Sequence, residues 1–433
     1  MNPFINTAES RSHKGSLAMF DGDYKAAEKS FLSVVSDAER YAEHHAPQAF
    51  KAVKRELPEV FPLLYIPVEV AVRELDARLL LALHAASIGF HVIIGQSWSF
   101  LGAWKELPPG VILFKTMNTL DAKNMTAAKA GGHIITVIDE EGIGRRVAVD
   151  TFKMNLDPSA VAICDVIFTQ GRVHDDMIQK IYPGANTVVT GNPRAELFGE
   201  KYFANSAQIH LFCSKAGNIN PAGRSFLSCV QTTLALAGGT SVKRMGKLFR
   251  DSTRNELRSI KQFITTAREV SKHHKVVVRP HPVENPMLWH QIFSQDDVEV
   301  DASGSLRDWL KITETLYCLP ECGTEHEATL AGVPVKVFGE PLADTKGLFE
   351  SGSACENIVS ELLDFPLNNN STPVAYLSQS HAMFQASPFH RRKFPETSVE
   401  QIVEKIRTLK AMSGLDTMFN VTRVSDNQFY IRG

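Results

Sequence analysis

The stretch Leu63-Leu-Tyr-Ile-Pro-Val68, followed by a helical segment over Arg73–Ile88, a stop at Gly89 and then His91-Val-Ile-Ile-Gly95, decides the fold class. Each flanking run is short, apolar and rich in β-branched or aromatic residues, as a strand buried on both faces requires. The segment between them is long enough to be a crossover helix, and glycine just past its end is a usual stop. The pattern repeats through Val111-Ile-Leu-Phe114, Ile134-Ile-Thr-Val-Ile138, Val161–Phe168 and Thr187-Val-Val189. Such alternation predicts a parallel sheet covered by helices on both sides.

A second series starts at Ile209-His-Leu-Phe-Cys213. It continues with a long amphipathic helix over about Arg254–His273, then Lys275-Val-Val-Val-Arg279, Val298-Glu-Val300, Thr315-Leu-Tyr-Cys-Leu319 and Pro334-Val-Lys-Val-Phe338. Gly191-Asn-Pro-Arg-Ala-Glu-Leu-Phe-Gly199 reads as the linker between the two series. The expected architecture is therefore α/β, with two Rossmann-like domains over residues 61–200 and 201–370 facing a central cleft. Residues 1–60 form an N-terminal helical appendage suited to packing or to homo-oligomer formation, and 371–433 a tail whose helix over about Val399–Met412 packs back. Within the appendage, Asp23-Tyr-Lys-Ala-Ala-Glu-Lys-Ser-Phe-Leu-Ser-Val-Val35 has helical apolar spacing and resembles half of a tetratricopeptide unit. A second helix is expected from about Ala46 to Leu57, ended by Pro58 and Pro62.

Composition removes several classes of function. The chain has 433 residues, 44% hydrophobic and 22% charged, enough to bury two cores without metal or disulfide staples. Lys+Arg number 46 against 48 Asp+Glu, so a large basic field for nucleic acid is not expected, although local patches are compatible with these counts. The six cysteines are scattered and read as reduced thiols. The polar stretch Met1–Lys14 lacks the apolar core of a signal peptide, and no apolar run reaches the roughly 18–20 residues of a membrane span. A cytoplasmic protein is expected. Arg391-Arg392-Lys393 beside Phe389 offers a small basic patch for peripheral contact with the inner face of a membrane, though three charges are more often plain surface.

Ligands of such sheets sit beyond the carboxyl ends of the strands, so the residues immediately after each run are the candidates for a site. Asp139-Glu140-Glu141-Gly142 comes directly after the strand ending at Ile138. Crowded carboxylates raise the proton affinity of one another, which suits a general base, and an acidic surface turn is the equally weighted alternative. Arg279-Pro280-His281-Pro282 comes directly after the strand ending at Val278. The prolines fix the backbone around His281, which can donate to a phosphate or protonate a leaving group, while Arg279 offers a bidentate fork. Gly323-Thr324-Glu325-His326-Glu327 opens a helix after a third strand, so its amides and hydroxyl suit an anion and Glu327 the hydroxyls of a ribose. Gln96 and Ser97 after one strand, and Asn218 and Asn220 after another, are candidates for contact with acceptor or donor sugar. Glu69, Arg73 and Glu74 read more readily as a solvated ion-pair face. No Asp-x-Asp triplet follows a strand of either series as an obvious metal clamp, so neither a metal nor a cofactor is expected.

In this order, Glu140-Glu141-Gly142, His281-Pro282 and Gly323-Thr324 resemble the acidic, His-Pro and Ser/Thr motifs of bacterial sialyltransferases of GT-B fold. The retaining Kdo transferases have a similar plan and also use CMP-linked donors. More broadly, Ile66-Pro-Val-Glu-Val-Ala-Val-Arg-Glu-Leu-Asp-Ala-Arg78 and Thr190-Gly-Asn-Pro-Arg194 look like a family of bacterial surface carbohydrate biosynthesis proteins, over roughly residues 63–345. The resemblance implies transfer of a 3-deoxy ulosonic acid (Kdo, sialic or legionaminic type) from a CMP-sugar to a hydroxyl of a surface glycan. It makes the first domain the acceptor side and the second the nucleotide-sugar side. It implies Glu140, or its neighbour Glu141, as general base, His281 and Thr324 on the CMP phosphate, and Arg279, Pro282, Gly323 and Glu327 around the nucleotide. Cys322-Gly323-Thr324 departs from the usual hydroxyl pair, and Asp139 is an additional acid. The alternatives are a GT-B enzyme using a CDP-polyol or a UDP-sugar, and a non-catalytic scaffold of glycan assembly that binds through residues 1–60.

Overall fold

The computed structural model describes residues 3–23, 25–27, 29–33, 51–55, 62–100, 104–105, 107–140, 153, 156–216, 220, 242–282, 284–320, 323–339, 353–365, 374–378, 394–425 and 427–433. In chain order the strands are β1 Lys51–Arg55, β2 Leu63–Val68, β3 His91–Gln96, β4 Val111–Phe114, β5 Ile134–Ile138, β6 Val166–Thr169 and β7 Thr187–Val189. Then come β8 Ile209–Cys213, β9 Val276–Arg279, β10 Val298–Val300, β11 Thr313–Cys318 and β12 Val335–Val337. The last are β13 Val374–Ser378, β14 Asn420–Ser425 and β15 Gln428–Arg432. The expected α/β class, two Rossmann-like units each built on a parallel sheet, is the one observed.

The first unit comprises residues 1–49, 205–341 and 381–393. Its sheet runs β10-β9-β8-β11-β12, parallel throughout. The chain proceeds from β8 outward through β9 to β10, then returns to the other side of β8 for β11 and β12. The reversal falls between β8 and β11, and in open α/β sheets such a switch point leaves a crevice beyond the carboxyl ends. Phe212 stacks on Tyr317 with centroids 4.2 Å apart, and Phe263 and Trp289 close the same core. Met19, Ala27 and Phe31 from the N-terminal helical segments are buried in this core as well. The helix Pro3–Asp21 is thus a structural part of the unit.

The second unit comprises residues 50–204, 342–380 and 394–433. Its principal sheet runs β14-β15-β3-β2-β4-β5-β6-β7, parallel from β3 to β7. Here the reversal falls between β2 and β4. Helix Ala71–Ser87 packs on this sheet and also against the helices Pro193–Glu196, Ala354–Leu363 and Val399–Ser413. Being covered on every side, it is apolar nearly all round from Leu79 to Ala86. The aromatic group Tyr65, Phe100, Trp104 and Phe114 fills the other face of the sheet, where Tyr65 donates its hydroxyl to the carbonyl of Pro108 at 2.9 Å.

Three local expectations are corrected. Residues 51–55 are not helical but form β1, antiparallel to β13, while 46–50 and 56–57 lie outside the described residues. The supposed strand Val161–Phe168 is a helix, Pro158–Ile163, followed by the shorter β6. Asp157 caps that helix by accepting from the Ser159 amide, and Pro158 presets its first turn. The tail contributes the hairpin β14–β15 to the second unit's sheet in addition to its helix, with β15 antiparallel to β3. Gly95 makes this addition possible: a β-carbon there would stand 2.3 Å from the carbonyl oxygen of Asn427. Among the described residues, no helix is long and apolar enough to cross a membrane.

Candidate functional site

In the second unit, charged residues collect beyond the carboxyl ends of β2, β4 and β5. Glu69 follows β2 and Lys115 follows β4, flanking the switch point, and their side chains meet at 2.6 Å. Lys115 also pairs with Glu74 at 3.1 Å, and Arg73 donates to Glu74 at 2.9 Å. The Glu69 amide adds a hydrogen bond to Glu74 at 2.8 Å. Burial alone would raise the pKa of Glu74, but the charges of Lys115, Arg73 and Arg78, with the Glu69 amide, hold it far below the ordinary carboxylate range. Glu74 is fully buried, whereas the side chains of Glu69 and Arg73 keep 37% and 32% of their exposure. These two mark the side on which the cluster meets solvent.

Glu140, at the end of β5, lies deeper. Its carboxylate is 3.1 Å from Arg78 and 4.0 Å from Arg194, and all three side chains are buried. Burial lowers the pKa of Arg194 to about 10 against the opposing pull of Glu140, so the guanidinium stays charged at neutral pH. Arg78 is 1% exposed and ion-paired with Glu140, yet among the described residues none of its three guanidinium nitrogens makes a well-aligned hydrogen bond. A buried cation in that condition is costly unless a further acceptor completes it. The segments Ile66–Arg78 and Thr190–Arg194, which carry the surface-carbohydrate resemblance, thus converge on Glu140.

Asp139 turns elsewhere. Its carboxylate stands 3.6 Å from Nε2 of His174, whose Nδ1 accepts the Gln170 amide at 3.2 Å. Because Nδ1 is the acceptor, the proton of the neutral ring sits on Nε2, facing Asp139. Gln170 also donates to the Asp139 carbonyl and accepts from Asn192 at 3.1 Å, tying the ends of β5 and β6 to the loop after β7. Asp139 and Glu140, adjacent in sequence, therefore have different partners. Glu141 and Gly142 lie outside the described residues.

In the first unit, Ser214 follows β8, Arg279 ends β9 with His281 just beyond it, and the helix Gly323–Leu330 begins after β11. All of them stand at the carboxyl ends bordering the switch point. Arg279 is buried and donates from Nη2 to the Gly304 carbonyl at 3.1 Å, while its Nε has no hydrogen-bond partner. His281 and Pro282 are half-buried, and the His281 carbonyl accepts the Glu284 amide at 2.8 Å. Gly323 and Thr324 are half-buried in the first turn of their helix; Glu327 is buried one turn on, rather than projecting from that first turn.

Two candidates do structural work. Asn220 is fully buried, donates to the Asn285 carbonyl at 2.8 Å and contacts Ser16, while its neighbour candidate Asn218 lies outside the described residues. Gln96 is buried between Ser99, to which it donates at 2.6 Å, and Asn427, from which it accepts at 3.3 Å. Ser97, half-buried, begins the short turn after β3. Lys115 and His174 belong to no motif visible in the amino-acid order, while Arg78 and Arg194 close the two segments of the surface-carbohydrate resemblance without being singled out as site residues. The usable signal is an arginine leading into the apolar run Leu79–Ala86, which only a buried partner explains.

Glu284, which no sequence motif singles out, holds the loops of the first unit together. Its carboxyl accepts from Ser214 Oγ at 2.7 Å, the Ala216 amide at 2.5 Å and Trp289 Nε1 at 2.7 Å. Burial outweighs these donors and pushes its pKa from the ordinary 4.5 up to about 7. The folded state therefore binds this proton more tightly than the unfolded chain does. That contribution is complete below pH 4.5 and is lost as pH rises through about 7, a change on the order of 3 kcal/mol. Urea unfolding of the wild type between pH 4.5 and 8 is expected to show this decline, and Glu284→Gln should flatten the slope most clearly near pH 7, above the range of Asp121, whose pKa is raised to about 6. An identical slope in the variant contradicts the assignment.

No protein-family profile and no curated protein matches the chain. Solved structures do. A provisionally assigned UDP-N-acetylglucosamine 2-epimerase of Listeria monocytogenes is 12% identical, with a TM-score of 0.42 over 79% of this chain and 98% of its own. Staphylococcus aureus MnaA in complex with UDP is 14% identical, with a TM-score of 0.40 over 84% and 99%. A further UDP-N-acetylglucosamine 2-epimerase is 14% identical, with a TM-score of 0.34 over 80% of each chain.

Proposed function

We propose that the chain is an enzyme of surface-carbohydrate assembly that acts on a nucleotide-activated sugar. The observation that carries this reading is the position of the polar groups: each unit places its charged and hydrogen-bonding side chains at the carboxyl ends flanking its own switch point. In the first unit Arg279, His281, Gly323 and Thr324 suit a nucleoside phosphate, by fork, imidazole and helix-start amides. In the second unit the half-exposed Glu69 and Arg73, with Lys115 behind them, suit a polyhydroxylated or anionic sugar. Glu140 serves there to hold Arg78 and Arg194, which leaves Glu141 as the general base of the acidic run.

The donor class follows from what completes Arg78. A CMP-linked ulosonic acid brings a carboxylate, a second acceptor for the Arg78 guanidinium beside Glu140. A UDP-sugar is the second reading, favoured by the pairing of Glu140, which withdraws the base that transfer from a CMP donor would assign to it. Thermal unfolding of the full chain with CMP, CDP, UDP or GDP separates them, because only a bound nucleotide raises the melting temperature. A rise with CMP supports the first reading and a rise with UDP the second. No rise with any nucleotide removes both.

A further inference from the structure

Away from the carboxyl ends, the opposite edge of the first unit's sheet gathers a different set of side chains. His210 is the second residue of β8, Glu314 the second of β11, and His274 lies in the turn between the helix Val242–Ser271 and β9. One ligand atom from each of these three comes within 4.8 Å of the others, with His210 Nε2 at 3.8 Å from the Glu314 carboxylate. Two backbone features produce the grouping. The His210 amide donates to the Lys275 carbonyl at 2.9 Å, which seats the His274 turn beside β8, and the two imidazoles meet with centroids 4.4 Å apart. In β11 the register with β8 skips between Thr313 and Thr315, so Glu314 is the additional residue of a bulge. Bulges re-aim side chains, and this one brings a carboxylate to His210.

His210 itself is the second observation. Its side chain is 9% exposed, and among the described residues neither Nδ1 nor Nε2 has a hydrogen-bond partner. A buried imidazole normally satisfies at least one nitrogen.

We propose that His210, His274 and Glu314 form a binding site for a divalent transition metal, with Zn2+ the best fit, at the amino-terminal edge of this sheet. Two imidazoles and one carboxylate are a donor set that zinc accepts with a fourth position left open. A tetrahedral ion with bonds of about 2.0–2.1 Å places its ligand atoms about 3.3 Å apart, so a modest inward rotation of the exposed His274 and Glu314 suffices. Lys336 is the opposing charge near His210; its ammonium is engaged by Tyr317, 3.5 Å from the hydroxyl and 5.2 Å from the ring centroid. Mg2+ and Ca2+, which prefer all-oxygen sets, are poor competitors here. The ion would clamp β8, β11 and the entry to β9 to one another, on the side of the sheet away from the nucleotide-site candidates.

The experiment uses the full chain, stripped with a chelator and titrated with Zn2+ alone by calorimetry, with the melting temperature as a second readout. The wild type is expected to bind one equivalent saturably and to melt higher when loaded. His274→Ala and Glu314→Gln alter exposed side chains and leave the core intact; each is expected to weaken that equivalent by at least about 10-fold. Co2+ should give the intense visible bands of a tetrahedral site in the wild type and lose them in His274→Ala. The proposal is overturned if the wild type takes up no saturable Zn2+, or if both variants bind with wild-type stoichiometry and affinity.

Discussion

Glu140→Ala is expected to destabilise the second unit by about 3–5 kcal/mol, the usual consequence of removing one partner from a buried ion pair. The carboxylate stands between Arg78 and Arg194, both buried, and among the described residues Arg78 makes no other hydrogen bond. Its removal takes from two desolvated guanidinium groups the carboxylate that they share. Glu140→Gln keeps the volume but not the charge, so most of the loss should remain. Adding Arg78→Met to Glu140→Ala removes one of the stranded cations and should recover part of it, a non-additivity that a double-mutant cycle in urea reads directly. A Glu140→Ala protein that unfolds at the wild-type urea midpoint contradicts a structural role for this carboxylate and returns it to the acceptor side of the chemistry.

His281→Ala is expected to behave in the opposite way. The ring is half-buried, its local backbone is held by Pro280 and Pro282, and the Glu284 amide bonds to its carbonyl rather than to its side chain. Truncation should therefore leave the melting temperature near that of the wild type. Release of nucleotide from the sugar donor should fall by about 10²–10⁴-fold, the scale of a lost proton donor at a leaving group. Wild-type turnover in the purified variant would take His281 out of the mechanism.

The legibility of each element in the amino-acid order depends on what its signal measures. Strands of a covered sheet show as apolar runs whatever their neighbours, so β4, β5, β7, β8 and β10 stand at the expected residues. The hairpin Asn420–Arg432 gives no such signal, because Asn-Val-Thr-Arg-Val-Ser on its outer strand is half polar and its turn relies on Asn427 at a positive φ of 49°. Residues 51–55 alternate charge and apolarity weakly, and only pairing with β13 makes them a strand. The positions of candidate groups after strands are legible, since the fold fixes where ligands bind. Their partners are not. Lys115, Arg78 and Arg194 are far apart in sequence and become neighbours only through the sheet order, and Arg73 and Glu74, expected on a solvated face, prove to be the rim and the centre of one cluster. Glu284 is equally silent, because nothing local announces that Ser214, Ala216 and Trp289 will surround it.

A crystal structure of the full chain grown with whichever nucleotide raises its melting temperature most is the most direct test of where the nucleotide binds. The predicted result is a phosphate beyond the carboxyl ends of β8, β9 and β11, within hydrogen-bond reach of His281 and of the amides opening at Gly323. A nucleotide held elsewhere, with His281 and Gly323 untouched, would contradict the assignment.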